Sequence, residues 1–268
     1  MSGIILGTGL AYRFTVTFHL SVFILAIATT LSLQILSNLC NELGDSLKGT
    51  DADQHGRAAY GLQAGTITPG QMVKMIKGFI VASLVCGVAL IYSAFGSLWC
   101  EQSWAFYGLG ALAVIGAITY TLGRHSYGYM GLGDLGVFLF FGLLSTAGSY
   151  YLQTQTLTWE AVAGGVAIGL PCVGVLNLNN IRDMANDRLH GKRTFASLLG
   201  PLGARIYHTL LLVGCLIIFA LYGHYWTLCI IPVWAWHFAF VWRNSERLDR
   251  QMPVLMLSTF VVALLGWV

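Results

Sequence analysis

Charged residues are scarce in this chain. Only 9% of its 268 residues are Asp, Glu, Lys or Arg, whereas an average soluble protein contains about 25%. So few charges cannot solvate the surface of a globular protein of this length. Nucleic-acid binding, intrinsic disorder and coiled-coil structure each require many more charges. The composition therefore excludes these classes, and nucleic acid is not expected as a partner.

Patterns typical of thiolate or histidine metal sites are also lacking. The six cysteines are scattered along the chain, without a Cys-x-x-Cys pair and without histidines at ligand spacing. We interpret them as small apolar residues of the interior, and we expect neither a zinc nor a copper site.

What the chain has in abundance is apolar residues, at 56% and in long runs. Because a helix needs about 20 apolar residues to cross a bilayer, the runs predict an all-α polytopic membrane bundle of about nine helices, forming a single domain over residues 1–268. The first helix, which ends near residue 12, is interpreted as truncated. The other predicted segments are 16–40, 72–96, 103–122, 133–151, 159–177, 205–222, 226–242 and 252–268, with long polar loops at 41–71 and 178–204.

Basic residues are divided unevenly between the two sides of the predicted membrane. When the loops are assigned alternately to the two sides, only Arg13 of the 14 Lys and Arg residues falls opposite to the others. Cytoplasmic loops of membrane proteins carry such an excess of positive charge. The count predicts a multi-pass membrane protein with both long loops in the cytoplasm.

Two clusters of Asn and Asp lie where predicted helices leave the membrane on that side. In the first, Asn38, Asn41 and Asp45 are spaced three and four residues apart and so share one helical face. In the second, Asn179, Asp183 and Asp187 repeat every four residues.

Oxygen ligands of this kind suit Mg²⁺, which keeps coordination positions for water and substrate phosphates. Lys48 lies close to the first cluster, and Lys192 and Arg193 follow the second. Carboxylates with nearby Lys and Arg are typical of a site for a metal-bridged diphosphate. A single cluster would equally suit a solvated helix end, but two clusters with the same spacing favour a functional site.

Three segments carry a resemblance to a known family. They are Asn41-Glu-Leu-Gly-Asp-Ser-Leu-Lys-Gly-Thr-Asp51, Gly131-Leu-Gly-Asp-Leu-Gly-Val-Phe-Leu-Phe-Phe-Gly142 and Asn179-Asn-Ile-Arg-Asp-Met-Ala-Asn-Asp-Arg-Leu-His-Gly-Lys-Arg-Thr194. On these segments the chain resembles the UbiA-type superfamily of intramembrane aromatic prenyltransferases, with its Asn-x-x-x-Asp and Asp-x-x-x-Asp motifs. Within it, the chain looks most like the 1,4-dihydroxy-2-naphthoate polyprenyltransferases of menaquinone biosynthesis. Members usually have Asp where this chain has Glu42.

The resemblance implies a Mg²⁺-dependent enzyme that transfers a polyprenyl group from polyprenyl diphosphate to 1,4-dihydroxy-2-naphthoate, with loss of the carboxylate, within the lipid bilayer. The expected metal ligands are Asn41, Asp45, Asp183 and Asp187, and the three aspartates are the expected catalytic residues. The expected diphosphate-binding residues are Lys48, Asp51, Arg182, Lys192 and Arg193. Asp134 is expected either in a polar patch near the aromatic substrate or at a solvated helix start.

Two alternatives stay open at this point. The acceptor can be another ring, of the 4-hydroxybenzoate or homogentisate type, because cavity shape determines that choice. The chain can also be a cation-coupled transporter, although transporters place polar groups near the bilayer midplane on broken helices. Here the ionisable residues lie at helix ends on one side, which argues against transport.

Overall fold

The computed structural model describes residues 1–50, 61–124, 126–243 and 248–267, and the regular secondary structure in these ranges is helical. A short 3₁₀ turn, Tyr127–Tyr129, precedes the fifth helix. In chain order the helices are α1 (Ser2–Thr15), α2 (Leu20–Leu47), α3 (Pro69–Phe95), α4 (Glu101–Thr119), α5 (Gly133–Thr154), α6 (Trp159–Leu189), α7 (Phe195–Leu221), α8 (Tyr225–Arg243) and α9 (Leu248–Leu265).

Helices α2 to α9 are each long and apolar enough to cross a membrane. The predicted all-α polytopic bundle is therefore confirmed, with α1 at the position of the short first segment. The predicted loops are wrong in part, because α2 continues to Leu47, α6 continues to Leu189 and α7 begins at Phe195. Asn and Asp spaced at three and four residues lower the hydropathy of these helix ends without interrupting the helix.

The helices form two compact units. The first unit comprises residues 1–23, 134–184 and 195–268, and the second comprises residues 24–133 and 185–194. The prediction of one domain over the whole chain stays a prediction.

In the first unit, α5 and α6 approach each other closely at glycines. A Cβ atom on Gly142 would lie 2.5 Å from Cα of Gly169 and 2.8 Å from the carbonyl oxygen of Gly165. Only residues without a side chain allow two backbones this near to each other. On the α5 side of this contact the helix is π-helical, over Phe138–Leu144.

In the second unit, α2 packs against α3 and α4. Leu36 and Leu43 of α2 are buried with Met72 and Ile76 of α3, and partly buried residues of α4 complete the cluster. Helix α3 begins with a capping box between Thr68 and Gln71, which fixes its start. This packing holds the end of α2, where the first polar cluster lies.

Candidate active site

Helix α2 ends in a tight turn that carries Asp45. The N–H of Gly49 donates to the carbonyl of Ser46 at 3.2 Å, and the N–H of Thr50 donates to the carbonyl of Asp45 at 3.0 Å. This pair of hydrogen bonds is the Schellman motif, which requires a left-handed residue and so favours glycine. Gly49 has a φ of 72°. Asp45 is thereby fixed in the last turn of the helix.

Helix α6 ends in the same way around Asp187. The N–H of Lys192 donates to the carbonyl of Asp187 at 2.8 Å, and the N–H of Gly191 donates to that of Arg188 at 3.3 Å. Gly191 has a φ of 70°. The two ends share the pattern Asp-x-Leu-(Lys or His)-Gly, a repeat that sequence reasoning missed. Asp45 and Asp187 therefore hold equivalent positions.

Lys192 brings these two carboxylates together within the second unit. Its Nζ atom lies 3.9 Å from Oδ2 of Asp45 and 3.8 Å from Oδ1 of Asp187. The side chain of Asp187 is only 2% exposed, and a buried carboxylate is stable only when positive charge or hydrogen bonds balance it. Three predicted site residues from two separate clusters therefore lie close together in the structure.

Tyr129 is a member of this site that sequence reasoning missed. Its hydroxyl donates to Oδ1 of Asp45 at 2.6 Å and lies 2.7 Å from the hydroxyl of Thr50. Burial, and next the neighbouring Asp45 carboxylate, raise the pKa of Tyr129 above its ordinary value. The phenol therefore stays protonated and donates to Asp45, so the hydroxyl of Thr50 donates to the phenol oxygen.

The ring of Tyr129 also lies beneath Lys48. The Nζ atom of Lys48 is 3.7 Å from the ring centroid, and it donates to the carbonyl of Thr121 at 2.7 Å and to the hydroxyl of Ser126. Burial lowers the pKa of Lys48, the Asp45 charge opposes that shift, and the Lys192 charge adds to it. Lys48 was predicted to bind diphosphate, and in the structure its ammonium is engaged by these partners.

The remaining residues of the first cluster have partners nearby. The amide oxygen of Asn41 accepts from the hydroxyl of Thr121 at 2.5 Å. Glu42, in the place of the family's usual Asp, accepts from the N–H of Leu62 at 2.7 Å. Asp51, a predicted diphosphate ligand, lies outside the described residues.

Hydrogen bonds to backbone carbonyls hold the second cluster against Tyr129 and the end of α2. The N–H of Arg193 donates to the carbonyl of Tyr129 at 3.1 Å, and the side-chain amide of Asn186 donates to the carbonyl of Thr50 at 2.7 Å. Arg193 is itself exposed. Its backbone position is therefore fixed while its side chain faces outward.

Two further predicted residues, Arg182 and Asp183, lie in the first unit and bind each other. The guanidinium of Arg182 donates to both carboxylate oxygens of Asp183, at 2.7 and 2.6 Å, and its third contact is Asp249 at 2.5 Å. This bidentate geometry is the strongest that Arg forms with a carboxylate. The predicted metal and diphosphate roles of the two residues stay predictions.

Asp134 also lies in the first unit and is 9% exposed, so the alternative of a solvated helix start is wrong. The hydroxyl of Tyr207 donates to Oδ1 of Asp134 at 3.5 Å, and the Tyr207 ring packs edge-on against Phe195. A carboxylate bound to one member of an aromatic pair is a suitable lining for an aromatic ligand.

The donor set of the second unit fits one particular mode of Mg²⁺ binding. In the described ranges, no group of three or more His, Cys, Asp and Glu residues is arranged to hold a metal ion by itself. The unit offers instead the carboxylates of Asp45 and Asp187 and the amide oxygen of Asn41. Mg²⁺ is commonly bound by one or two carboxylates together with substrate phosphates, and these residues suit that mode.

Comparison with known proteins finds similar chains over most of the sequence. Residues 2–265 match the UbiA prenyltransferase family. The chain is 41% identical over 237 residues to the 1,4-dihydroxy-2-naphthoate octaprenyltransferase of Escherichia coli, covering 88% of this chain and 75% of that protein. It is 37% identical over 253 residues to the protein of the same name from Haemophilus influenzae, covering 91% and 81%. A 2-carboxy-1,4-naphthoquinone phytyltransferase of Synechocystis is 27% identical over 204 residues, covering 76% and 63%.

Proposed function

The chain belongs to the UbiA prenyltransferase family, and from that premise we propose that it transfers a polyprenyl group from polyprenyl diphosphate to 1,4-dihydroxy-2-naphthoate. The prenyl group would replace the carboxylate, which leaves as carbon dioxide, and diphosphate would be released. The ring would remain a 1,4-diol, so the direct product would be demethylmenaquinol, the reduced form of demethylmenaquinone. The observation that carries the proposal is the meeting of Asp45, Asp187 and Lys192 at two helix ends, in a chain similar to 1,4-dihydroxy-2-naphthoate octaprenyltransferases. Family membership argues against the transporter alternative.

Prenyl transfer places two requirements on the site, and the first concerns the leaving diphosphate. When the allylic carbon–oxygen bond breaks, its electron pair stays on the diphosphate, and the leaving group gains negative charge. Groups aimed at that developing charge lower the barrier. Lys192 is placed to meet a diphosphate oxygen with its ammonium, and Arg193, exposed beside it, is placed to bind a second oxygen bidentately.

We propose Mg²⁺ as the cofactor, with Asp45, Asp187 and Asn41 as its protein ligands in the second unit. When bound, it would neutralise part of the diphosphate charge and so stabilise the leaving group. The metal role of Asp183, which lies in the first unit, stays a prediction from the family motif.

The second requirement concerns the allylic carbon, which must react with the acceptor ring before it reacts with water. We propose that Asp134 and Tyr207 line the acceptor site, since they combine a buried carboxylate with aromatic surface. We also propose that the protein lies in the inner membrane. The distribution of Lys and Arg predicts that the ends of α2 and α6 are on the cytoplasmic side.

A membrane incubation tests the function directly. Membranes that contain the full chain are supplied with Mg²⁺, polyprenyl diphosphates of several lengths and a panel of aromatic acids, and the products are identified by mass. We expect a prenylated, decarboxylated naphthalene product from 1,4-dihydroxy-2-naphthoate and little product from 4-hydroxybenzoate or homogentisate.

Matched membranes with Asp45→Asn serve as the control, because this variant keeps the size of the side chain and removes its charge. A product from 4-hydroxybenzoate in preference to the naphthoate would contradict the proposed acceptor. Product formation that is unaffected by EDTA would contradict the proposed cofactor.

A further inference from the structure

Tyr129 touches both halves of the candidate site. Its hydroxyl binds Asp45 in the first cluster, and its backbone carbonyl accepts from Arg193 in the second. The residues that follow the two capping glycines both approach it: the hydroxyl of Thr50 lies 2.7 Å from its hydroxyl, and Nζ of Lys192 lies 5.2 Å from its ring centroid. It comes from the 3₁₀ turn between α4 and α5, outside both motifs.

The hydrogen bonds around Tyr129 run in one direction. A carboxylate only accepts, so the phenol donates to Asp45, and Thr50 in turn donates to the phenol. The phenol hydroxyl donates its hydrogen bond to Oδ1 of Asp45, whereas Nζ of Lys192 lies nearest to Oδ2. The two oxygens of one carboxylate therefore have separate tasks, one bound to a neutral donor and the other directed at a cation.

We propose that Tyr129 is a positioning residue that orients the Asp45 carboxylate for cation binding through its hydroxyl. The inference rests on the proposed function, in which Asp45 binds Mg²⁺ together with the diphosphate. Hydrogen bonds to a ligating carboxylate fix its orientation, and their loss typically weakens metal affinity by about 10- to 100-fold.

The ring of Tyr129 has a separate role from its hydroxyl. Lys48, at 3.7 Å from the centroid, is held over the ring face, where the electron-rich surface attracts a cation. Replacement by Phe keeps this face and removes only the hydroxyl. Tyr129→Phe therefore isolates the bond to Asp45.

Tyr127 provides a matched control from the same turn. Its hydroxyl is also engaged, but it donates to the backbone carbonyl of Gly116 at 3.1 Å. Tyr127→Phe removes a hydrogen bond of the same chemical kind that does not involve a carboxylate of the site. Any general effect of losing a buried phenol hydroxyl appears in both variants.

The experiment measures Mn²⁺ binding to the detergent-solubilised full chain in the presence of inorganic diphosphate, by the electron paramagnetic resonance signal of free Mn²⁺. We expect Tyr129→Phe to weaken Mn²⁺ binding by about 10- to 100-fold and Tyr127→Phe to leave it within about twofold of wild type. In the transferase assay, Tyr129→Phe should shift the Mg²⁺ concentration for half-maximal rate in the same direction, with a much smaller loss of kcat at saturating Mg²⁺.

Equal Mn²⁺ affinities for Tyr129→Phe and wild type would overturn the inference and leave the proposed function standing. A wild-type protein that binds no Mn²⁺ with diphosphate would overturn the proposed metal site and the inference together. If Tyr129→Phe does not fold, Thr50→Val replaces it, because it removes the donor to the phenol and should weaken Mn²⁺ binding about threefold. An unchanged affinity in that variant would overturn the inference.

Discussion

The ends of α2 and α6 have the same backbone and different charges. Each places an aspartate four residues before a left-handed glycine and bonds the aspartate carbonyl to the residue after that glycine. That residue is Thr50 at the first end and Lys192 at the second. Asp45 receives a neutral donor from Tyr129 and its side chain is 20% exposed, whereas Asp187 is 2% exposed.

The difference indicates that the two helix ends share one capping motif and have different electrostatic roles. The cap holds each carboxylate in the last helical turn, and the residue after the glycine differs between the two ends. Lys192 of the second end faces both carboxylates, and Lys48 at the first end also interacts with the Asp45 charge. The repeated cap also supports an origin of the two halves by duplication, which the similar positions of the two clusters suggest.

The largest effect should come from removing either carboxylate. We expect Asp45→Asn and Asp187→Asn each to lower turnover by roughly 10²- to 10³-fold, since each removes charge aimed at the cation that would bind the diphosphate. Transferase kinetics measure both variants, with Ser46→Ala, an exposed neighbour on α2, as the control. Near-normal turnover in one variant alone would show that the two ends are not equivalent.

Lys192→Thr gives the second cap the same residue type after its glycine as the first cap, where Thr50 follows Gly49. We expect the apparent KM for polyprenyl diphosphate to rise by about 10- to 100-fold, because a charge-assisted contact is worth about 1.5–3 kcal/mol. The KM for the aromatic acceptor should barely change. Steady-state kinetics with donor and acceptor varied separately make the measurement, and a loss confined to the acceptor would place Lys192 at the other substrate.

Arg193 should contribute less, because its side chain is exposed. We expect Arg193→Ala to raise the donor KM by about tenfold and Arg193→Lys to cost less, since Lys keeps the charge but loses bidentate binding. The same kinetic assay compares the two variants. An equal loss in both would show that planar geometry, rather than charge, is what Arg193 supplies.

The smallest effect concerns the caps themselves. We expect Gly49→Ala and Gly191→Ala each to destabilise the protein by about 1–2 kcal/mol, the cost of a left-handed conformation for a residue with a Cβ atom. Thermal unfolding in detergent measures the change. Gly70→Ala is the control, because a Cβ atom there meets no neighbour and its φ is ordinary. A large loss at one cap only would contradict their equivalence.

Much of this arrangement could be predicted from the sequence. Hydropathy located the membrane helices, because long apolar runs leave few alternatives in a bilayer. The three- and four-residue spacing placed Asn41 and Asp45 on one helical face, and Lys192 was recognised by its charge beside Asp187. These are local features, and each depends on residues within a few turns of one helix.

The rest depends on contacts between distant segments. Tyr129 is 84 residues from Asp45, and nothing in its own segment distinguishes it from Tyr127. The pairing of Arg182 with Asp183 was missed for a different reason. Adjacent residues on a helix do not face each other, so only the long side chain of Arg lets its guanidinium reach the next carboxylate.

The π-helical segment Phe138–Leu144 has a consequence for insertions and deletions. A π turn contains one more residue than an α turn, and one residue corresponds to about 100° of rotation around the helix. Asp134 lies before the segment and contacts Tyr207, while Ser149 lies after it and contacts Gly3 of α1. Deletion of one residue between them would rotate Asp134 away from Tyr207 by about a quarter turn even if every remaining side chain were kept. Along this stretch the number of residues, independently of their identity, sets which groups the two ends of α5 can reach.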